Sequence, residues 1–342
     1  TSNQPPKALT ATELVEHPEF PHVIWDLKPE KKGTVAVAKD RRGPVNIAYE
    51  VHGHGPIHLV WIMGLGSLKT QWQRQTKDFG HKQADKYTCL VFDNRGVGES
   101  DKPIQRYSTF EMAKDCVELL DHLGWDQKRS LHVTGISMGG MIAQELGLLI
   151  PERICSLNLI STAARLVRTI GFVENIRNRV MLLVPHSEDT QLANIKHNIY
   201  TERFLNAPDS LGPESIAKPF PTNGDRAAAT EIWKRRNPQL FTRPGFLAQA
   251  IAAGWHHKSD TQLKELADKV GAKRILVVHG EEDRMITFPH ASVLLEGLGG
   301  EEAGVRKEFV EEMGHVVPIE MREEFGRWIE EVVERTERMG GN

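Results

Sequence analysis

The fold class of this chain follows from the stretch LHVTGISMGGMIAQELGLL, residues 131–149. An apolar run of strand length at 131–134 leads into the pentapeptide G-I-S-M-G at 135–139, and helix-forming residues follow directly. A serine at so sharp a turn from strand to helix needs small neighbours, because larger side chains would collide with the turn. The pattern predicts a nucleophile elbow that exposes Ser137 at the carboxyl end of a sheet.

On both sides of this stretch, strand-like runs alternate with helix-like runs. Such alternation predicts βαβ units, and therefore an α/β fold with a mostly parallel sheet of about eight strands and helices on both faces. Strands are predicted at 34–39, 45–51, 58–63, 88–92, 131–134, 154–160, 274–279 and 306–310, and helices at 71–82, 110–123, 138–149, 289–298 and 322–338.

The alternation is interrupted between residues 164 and 273, where helical patterns with proline and glycine breaks replace strands. This segment is predicted to be a helical lid inserted into an α/β core made of residues 34–163 and 274–342. Residues 1–33 are rich in proline and polar side chains and are predicted to form an irregular N-terminal extension.

Composition limits the classes of partner and compartment. The net charge of −3 and the absence of a dense run of Lys and Arg give no case for nucleic acid, and the apolar runs are too short to span a bilayer. Three cysteines cannot form an even set of disulfides, so free buried thiols are expected. With no basic-then-apolar secretory pattern at the start, the cytoplasm is the default expectation. No feature indicates an oligomeric state.

A serine nucleophile needs a base that is itself oriented by an acid. After an elbow of this kind, the acid and then the histidine follow in chain order. The strand at 274–279 runs into three carboxylates, Glu281, Glu282 and Asp283. Beyond them lie two of the 15 histidines: His290 within a predicted helix, and His315 in the loop after the strand at 306–310. His315 is therefore the predicted base.

The chain resembles the α/β-hydrolase superfamily from about Thr34 onward. The runs Ser-Met-Gly-Gly-Met at 137–141 and Pro-Glu-Arg-Ile at 151–154 are most similar to its enol-lactonase, esterase and perhydrolase branch. Residues 93–100 match the D-x-R-G-x-G-x-S signature of that branch, which we interpret as a tight turn tied by an Arg–carboxylate contact. Residues 279–286 resemble the H-G-x-x-D-x-x-V segment, and this resemblance implies that Asp283 is the catalytic acid.

The same resemblance places the oxyanion hole. Family members commonly carry His-Gly and then the first oxyanion residue after the early strand, and here the sequence is Met63-Gly64-Leu65. The implied donors are the backbone N–H groups of Leu65 and Met138. Gly64 and Trp255 are predicted to contact substrate.

No cofactor or metal is predicted. The histidines at 52, 54 and 58 lack a matching set of cysteines or carboxylates, and they are interpreted as solvated loop residues. No glycine-rich loop with lysine suggests a nucleotide.

The predicted function is hydrolysis of a small or medium, moderately apolar carboxylic ester or lactone through an acyl-enzyme on Ser137. Carbon–carbon bond hydrolysis of a diketone, amide hydrolysis and perhydrolysis remain alternatives on the same triad. A ligand receptor with slow turnover is an alternative from a different class. Related enzymes with an aspartate nucleophile, the epoxide hydrolases and haloalkane dehalogenases, are disfavoured by Ser137.

Overall fold

The computed structural model describes residues 8–167, 187–213 and 218–340. Within these ranges, eight strands form one sheet, and the α/β class predicted from the sequence is confirmed. The strands are β1 Lys31–Val37, β2 Val45–His52, β3 Ile57–Ile62, β4 Tyr87–Phe92, β5 Leu131–Ile136, β6 Ile154–Ile160, β7 Ile275–Gly280 and β8 Arg306–Val310.

The strand order is β1-β2-β4-β3-β5-β6-β7-β8. Strand β2 is antiparallel to both of its neighbours, and the other pairings are parallel. Every residue of β4, β5, β6 and β7 is buried, as expected for strands covered on both faces. All the parallel strands therefore end at the same edge of the sheet.

The helices pack on the two faces of the sheet and fill a long insertion between β6 and β7. A further helical stretch of mixed type runs over Lys69–Trp72, Gln73–Gln75 and Thr76–His81. The α-helices are α1 Ala11–Glu16, α2 Thr109–Leu123, α3 Met138–Leu149, α4 Glu188–Ile199, α5 Glu202–Asn206, α6 Asn223–Arg235, α7 Arg243–Gly254, α8 Asp260–Val270, α9 Pro289–Gly297, α10 Val317–Glu320 and α11 Arg322–Arg338.

Two apolar cores lie on opposite faces of the sheet. Helices α2, α3, α8 and α9 bury their apolar sides on one face, and the mixed helical stretch and α11 cover the other. The predicted lid segment at 164–273 also includes α8, yet Leu263, Leu266 and Val270 of this helix belong to the main core. We use the term helical insertion for α4–α7 and their connections, residues 187–213 and 218–258.

The N-terminal segment differs from its prediction as an irregular extension, because it contains α1. Thr10 and Glu13 form a capping box at the start of this helix. Leu14 is buried in a third apolar cluster with Phe220 and Ile232 of the helical insertion. A helix of six residues has too few turns to give a clear periodic signal in the sequence. Its stability comes from packing against the helical insertion rather than from helix propensity.

Two smaller expectations can be compared with the structure. The three cysteines are free and buried, as predicted. Among the described residues, every helix is too short or too polar to cross a bilayer.

Candidate active site

Ser137 stands between the end of β5 and the start of α3 in a strained backbone conformation, with φ +57° and ψ −124°. Its N–H donates to the carbonyl of Ile160 at 2.9 Å. Its own carbonyl accepts from Gly140 N–H at 3.0 Å and from the Thr162 hydroxyl at 2.7 Å. Strain of this kind costs of order 1–3 kcal/mol and persists only where surrounding contacts hold it.

Close backbone contacts explain the small residues around the serine. A Cβ at Gly135 would lie 2.2 Å from the carbonyl oxygen of Gly139, and one at Gly139 would lie 2.2 Å from that of Ile62. A Cβ at Gly64 would lie 3.0 Å from the Ser137 Cβ and 3.5 Å from its Oγ. Gly64 therefore lies directly beside the predicted nucleophile.

Asp283 and His315 form a buried pair. The Nδ1 of His315 lies 2.7 Å from Oδ2 of Asp283, and Oδ1 accepts from the backbone N–H groups of Met285 and Ile286 at 2.8 and 2.9 Å. Because Nδ1–H faces a carboxylate, Nε2 is left as the acceptor. Glu281 and Glu282 are exposed, as predicted.

The electrostatics of this pair keep the carboxylate charged. Burial raises the pKa of Asp283, but the attraction of His315 in its protonated form and the hydrogen-bonding contacts with His279 and His315 outweigh burial, so the pKa lies well below its ordinary value. A charged Asp283 can orient the imidazole and stabilise its cation.

His279 is a member of this cluster that the sequence reasoning did not select. It lies near the end of β7, where its Nε2 donates to the carbonyl of Ile286 at 2.7 Å and lies 3.3 Å from Oδ2 of Asp283. The His-Gly pair at the start of the segment 279–286 is the sequence feature that could have indicated His279.

All the predicted site residues of the core lie at one edge of the sheet. Ser137 follows β5, Asp283 follows β7, His315 follows β8 and Gly64 follows β3. The helical insertion reaches the loop of the histidine, since the N–H of His315 donates to the carbonyl of Ile199 at 2.8 Å.

The predicted oxyanion donors belong to two of these strand ends. Met138 is the first residue of α3, where a backbone N–H has no acceptor within the helix. Leu65 lies in the loop after β3, and Asn94 holds this loop by donating from Nδ2 to the carbonyl of Met63 at 3.0 Å.

The loop at 93–100 has the structural contacts expected of a tied turn. Asp93 is buried and accepts from the backbone N–H of Lys69 at 2.7 Å and from that of Glu99 at 3.0 Å. Arg95 makes two hydrogen bonds, of 2.5 and 2.6 Å, to the carboxylate of Asp115. The Arg–carboxylate contact that the sequence suggested is therefore present.

Trp255 is 75 % exposed, and the Arg106 guanidinium lies 5.5 Å from its ring centroid. Its contact with substrate stays a prediction.

The histidines near β2 differ from one another. The interpretation as solvated loop residues holds for His54, which is exposed beside Asp85, but it is wrong for His52 and His58. His58 is a half-buried residue of β3, and its ring stacks on that of Trp125 with centroids 4.1 Å apart. His52 is buried, because β2 lies inside the sheet and the mixed helical stretch covers it, and its Nδ1 lies 3.0 Å from Nε2 of His81.

A group with metal-ligand chemistry lies at the start of β5 and β6, opposite the edge of Ser137. Donor atoms of His132, Cys155 and Glu337 lie within 4.8 Å of one another. Each is already bonded: Glu337 Oε1 lies 3.1 Å from Nε2 of His132 and accepts from Cys155 Sγ at 3.4 Å. The guanidinium of Arg274, 3.7 Å from Sγ, places a positive charge beside the group. We interpret it as a hydrogen-bonded structural cluster.

Comparison with known proteins identifies the class. The family model described as alpha/beta hydrolase fold matches residues 57–321, and the chain belongs to this family.

The similarity to individual proteins is limited either in the share of the chain that it covers or in sequence identity. The chain is 33 % identical to a putative carbamate hydrolase, RutD, of Azorhizobium caulinodans over 41 % of this chain and 50 % of that protein. It is 35 % identical to 3-oxoadipate enol-lactonase 2 of Acinetobacter baylyi over 32 % of this chain and 38 % of that protein. The matches thus span half or less of the length of these two relatives. The solved enol-lactonase of Burkholderia xenovorans has a TM-score of 0.65 at 20 % identity, covering 88 % of this chain and all of its own.

Proposed function

We propose that this chain is a serine hydrolase that cleaves a carboxylic ester or lactone through an acyl-enzyme on Ser137. The observation that carries the proposal is the buried Asp283–His315 pair, at the same sheet edge as a serine held in a strained turn. A serine, a histidine and a charged carboxylate in these positions are the parts that acyl transfer requires.

In this mechanism, Nε2 of His315 takes the proton of the Ser137 hydroxyl as Oγ attacks the acyl carbon. Asp283 stabilises the resulting imidazolium, and the N–H groups of Leu65 and Met138 receive the negative oxygen of the tetrahedral intermediate. The intermediate collapses to the acyl-enzyme as His315 returns the proton to the leaving alcohol. Water, activated by the same histidine, then releases the acid and restores the serine.

The substrate class is a small molecule. The helical insertion is proposed to act as a lid, because it contacts both the loop of His315 and the loop of Leu65. Phe241 and Phe246 lie against Gly66 and would form an apolar part of the substrate boundary. The similarity to an enol-lactonase and a carbamate hydrolase favours a carbonyl carbon that carries an oxygen leaving group.

Covalent labelling tests the nucleophile. A fluorophosphonate probe is expected to label the wild-type chain stoichiometrically and to leave Ser137→Ala unlabelled. Ser161→Ala is a matched control, since Ser161 also follows a strand of the sheet and has a positive φ of +45°. Labelling retained in Ser137→Ala, or lost in Ser161→Ala alone, contradicts the proposal.

Turnover of a panel of p-nitrophenyl esters, lactones, carbamates and diketones then tests which type of bond the chain cleaves. Activity restricted to diketones or carbamates would be compatible with the proposed triad, but it would show that the substrate is not an ester or lactone.

A further inference from the structure

Gln249 connects the helical insertion to the loop of the predicted oxyanion donor. It lies in α7 and is fully buried. Its Oε1 accepts from the backbone N–H of Gly66 at 2.8 Å, and its Nε2 donates to the carbonyl of Arg95 at 2.8 Å. One side-chain amide thus bridges the loop after β3 and the loop after β4.

The helix and these loops meet at backbone distance. A Cβ at Gly245, one turn before Gln249, would lie 2.0 Å from the carbonyl oxygen of Gly96. Gly66 has a left-handed φ of +66°, and a Cβ there would lie 2.8 Å from the ring of Phe246. Such close approach places the amide of Gln249 in a tightly packed interface with little freedom to rotate.

These contacts hold the loop on both sides of Leu65. Asn94 binds the carbonyl of Met63, before the predicted donor, and Gln249 binds the N–H of Gly66, after it. Because the peptide bond is planar, fixing the Gly66 N–H also fixes the Leu65 carbonyl. The Leu65 N–H belongs to the peptide between these two, and the carbonyl of that peptide, Gly64, accepts from Ser67 N–H at 3.3 Å.

We propose that Gln249 is a positioning residue, which orients the Leu65 N–H toward the developing oxyanion and gives this one side chain of the helical insertion a role in catalysis. This inference rests on the proposed function, because it needs Leu65 to be an oxyanion donor. Through Gln249, the insertion would hold the loop of Leu65 in addition to covering the substrate.

The test compares two buried amides of the same insertion. Gln249→Met keeps the side-chain volume and removes both hydrogen bonds. Asn223→Leu is the matched control: Asn223 is buried, accepts from Ser210 N–H at 2.8 Å and donates to the carbonyl of Phe204 at 3.1 Å, with none of these bonds at the oxyanion loop. Both variants are measured at a temperature where circular dichroism shows them folded.

A misplaced donor weakens transition-state binding more than substrate binding. Gln249→Met is therefore expected to lower kcat about 10- to 100-fold, somewhat less than the ~10²–10³-fold that follows complete loss of a donor, with little change in KM. Fluorophosphonate labelling of Ser137 is expected to slow in parallel. Asn223→Leu is expected to keep the kcat of the wild-type chain.

Hydrogen exchange gives a readout that does not depend on turnover. In Gln249→Met, amides in a peptide covering residues 62–68 are expected to exchange faster than in the wild-type chain, whereas in Asn223→Leu they are not. Unchanged exchange or unchanged kcat in Gln249→Met overturns the proposal, and so does an equal loss of kcat in Asn223→Leu.

The two proposals fail in different ways. A wild-type chain that neither hydrolyses the panel nor reacts with the probe contradicts the serine hydrolase function and removes the catalytic role of Gln249 with it. In that case faster exchange at 62–68 still shows that Gln249 holds the loop, and unchanged exchange contradicts that part as well.

Discussion

Asp283 shows how one carboxylate can be buried and still charged. Two backbone N–H groups donate to Oδ1 and the Nδ1–H of His315 donates to Oδ2, so both carboxylate oxygens accept hydrogen bonds. An asparagine in its place could still accept from the backbone through Oδ1. Its Nδ2 would then face the histidine, and it would favour the tautomer with the proton on Nε2, where a base cannot accept the proton of Ser137.

We therefore expect Asp283→Asn to lower kcat about 10³–10⁴-fold, since the histidine is held in the wrong tautomer. Steady-state kinetics on an ester that the wild-type chain hydrolyses measures the effect. Glu282→Gln, an exposed carboxylate in the same turn, is the control and is expected to keep wild-type activity. Asp283→Asn with a kcat within tenfold of wild type would exclude the assigned role.

At the scale of elements, His256 joins the end of α7 to the start of α2. Its Nδ1 lies 2.9 Å from the hydroxyl of Thr109 and 3.7 Å from Oε1 of Glu145, and Lys258 binds the same carboxylate oxygen at 2.6 Å. Burial and, to a smaller extent, the charges of Lys258 and His257 lower the pKa of His256 to about 3. The folded protein therefore holds this imidazole neutral.

This neutral histidine makes stability depend on pH. Between the ordinary histidine pKa of about 6.5 and the lowered value of about 3, the unfolded chain binds a proton at this position and the folded chain does not. The free energy of unfolding contributed here is complete above pH 6.5 and decreases by about 1.4 kcal/mol per pH unit as the pH falls through that range.

Urea denaturation at a series of pH values measures the contribution. In His256→Asn, the slope of unfolding free energy against pH, between pH 6 and 4, is expected to be smaller than in the wild-type chain by about 1 kcal/mol per pH unit. Gln127→Asn, at an exposed position without a titratable side chain, is the control and is expected to leave the slope unchanged. Equal slopes in His256→Asn and wild type would show that His256 titrates normally in the folded state.

At the scale of the whole molecule, the N-terminal segment and the helical insertion stabilise each other. The buried side chain of Leu14 packs with Phe220 and Ile232. His17 stacks on Phe220 with ring centroids 4.1 Å apart, and the N–H of Leu9 donates to Asp225 at 3.0 Å. Residues more than 200 positions apart in the chain thus pack in one cluster.

Leu14→Ala is expected to destabilise this cluster by about 2–5 kcal/mol, because it leaves a cavity among buried apolar side chains. Limited proteolysis followed by mass spectrometry is expected to show faster cleavage within the helical insertion, with the strands of the sheet still protected. Ile104→Ala removes a side chain that is 95 % exposed and serves as the control. Cleavage at the wild-type rate in Leu14→Ala would show that the N-terminal segment does not stabilise the helical insertion.

Elements with a strong local signal in the sequence were predicted well, and features that depend on distant contacts were missed. The bounds predicted for α3, β6 and α11 agree with the structure, because their apolar periodicity or apolar run is long. The bounds of β8 agree as well. Helix α1 and the burial of His52 were missed, because each depends on contacts with distant parts of the chain.

The amino-acid sequence alone was sufficient for the α/β class, the strand–turn–helix around Ser137 and the chain order of the candidate acid and base. The first two features depend on residues a few positions apart, whose steric and periodic preferences act locally, and the acid and base follow from the resemblance to the α/β-hydrolase superfamily. Tertiary structure was needed to show that Asp283 reaches His315 and that Gln249 binds Gly66, 183 residues away. Such contacts depend on strand order and helix docking, which arise from the packing of the whole chain and leave no periodic signal in any one segment.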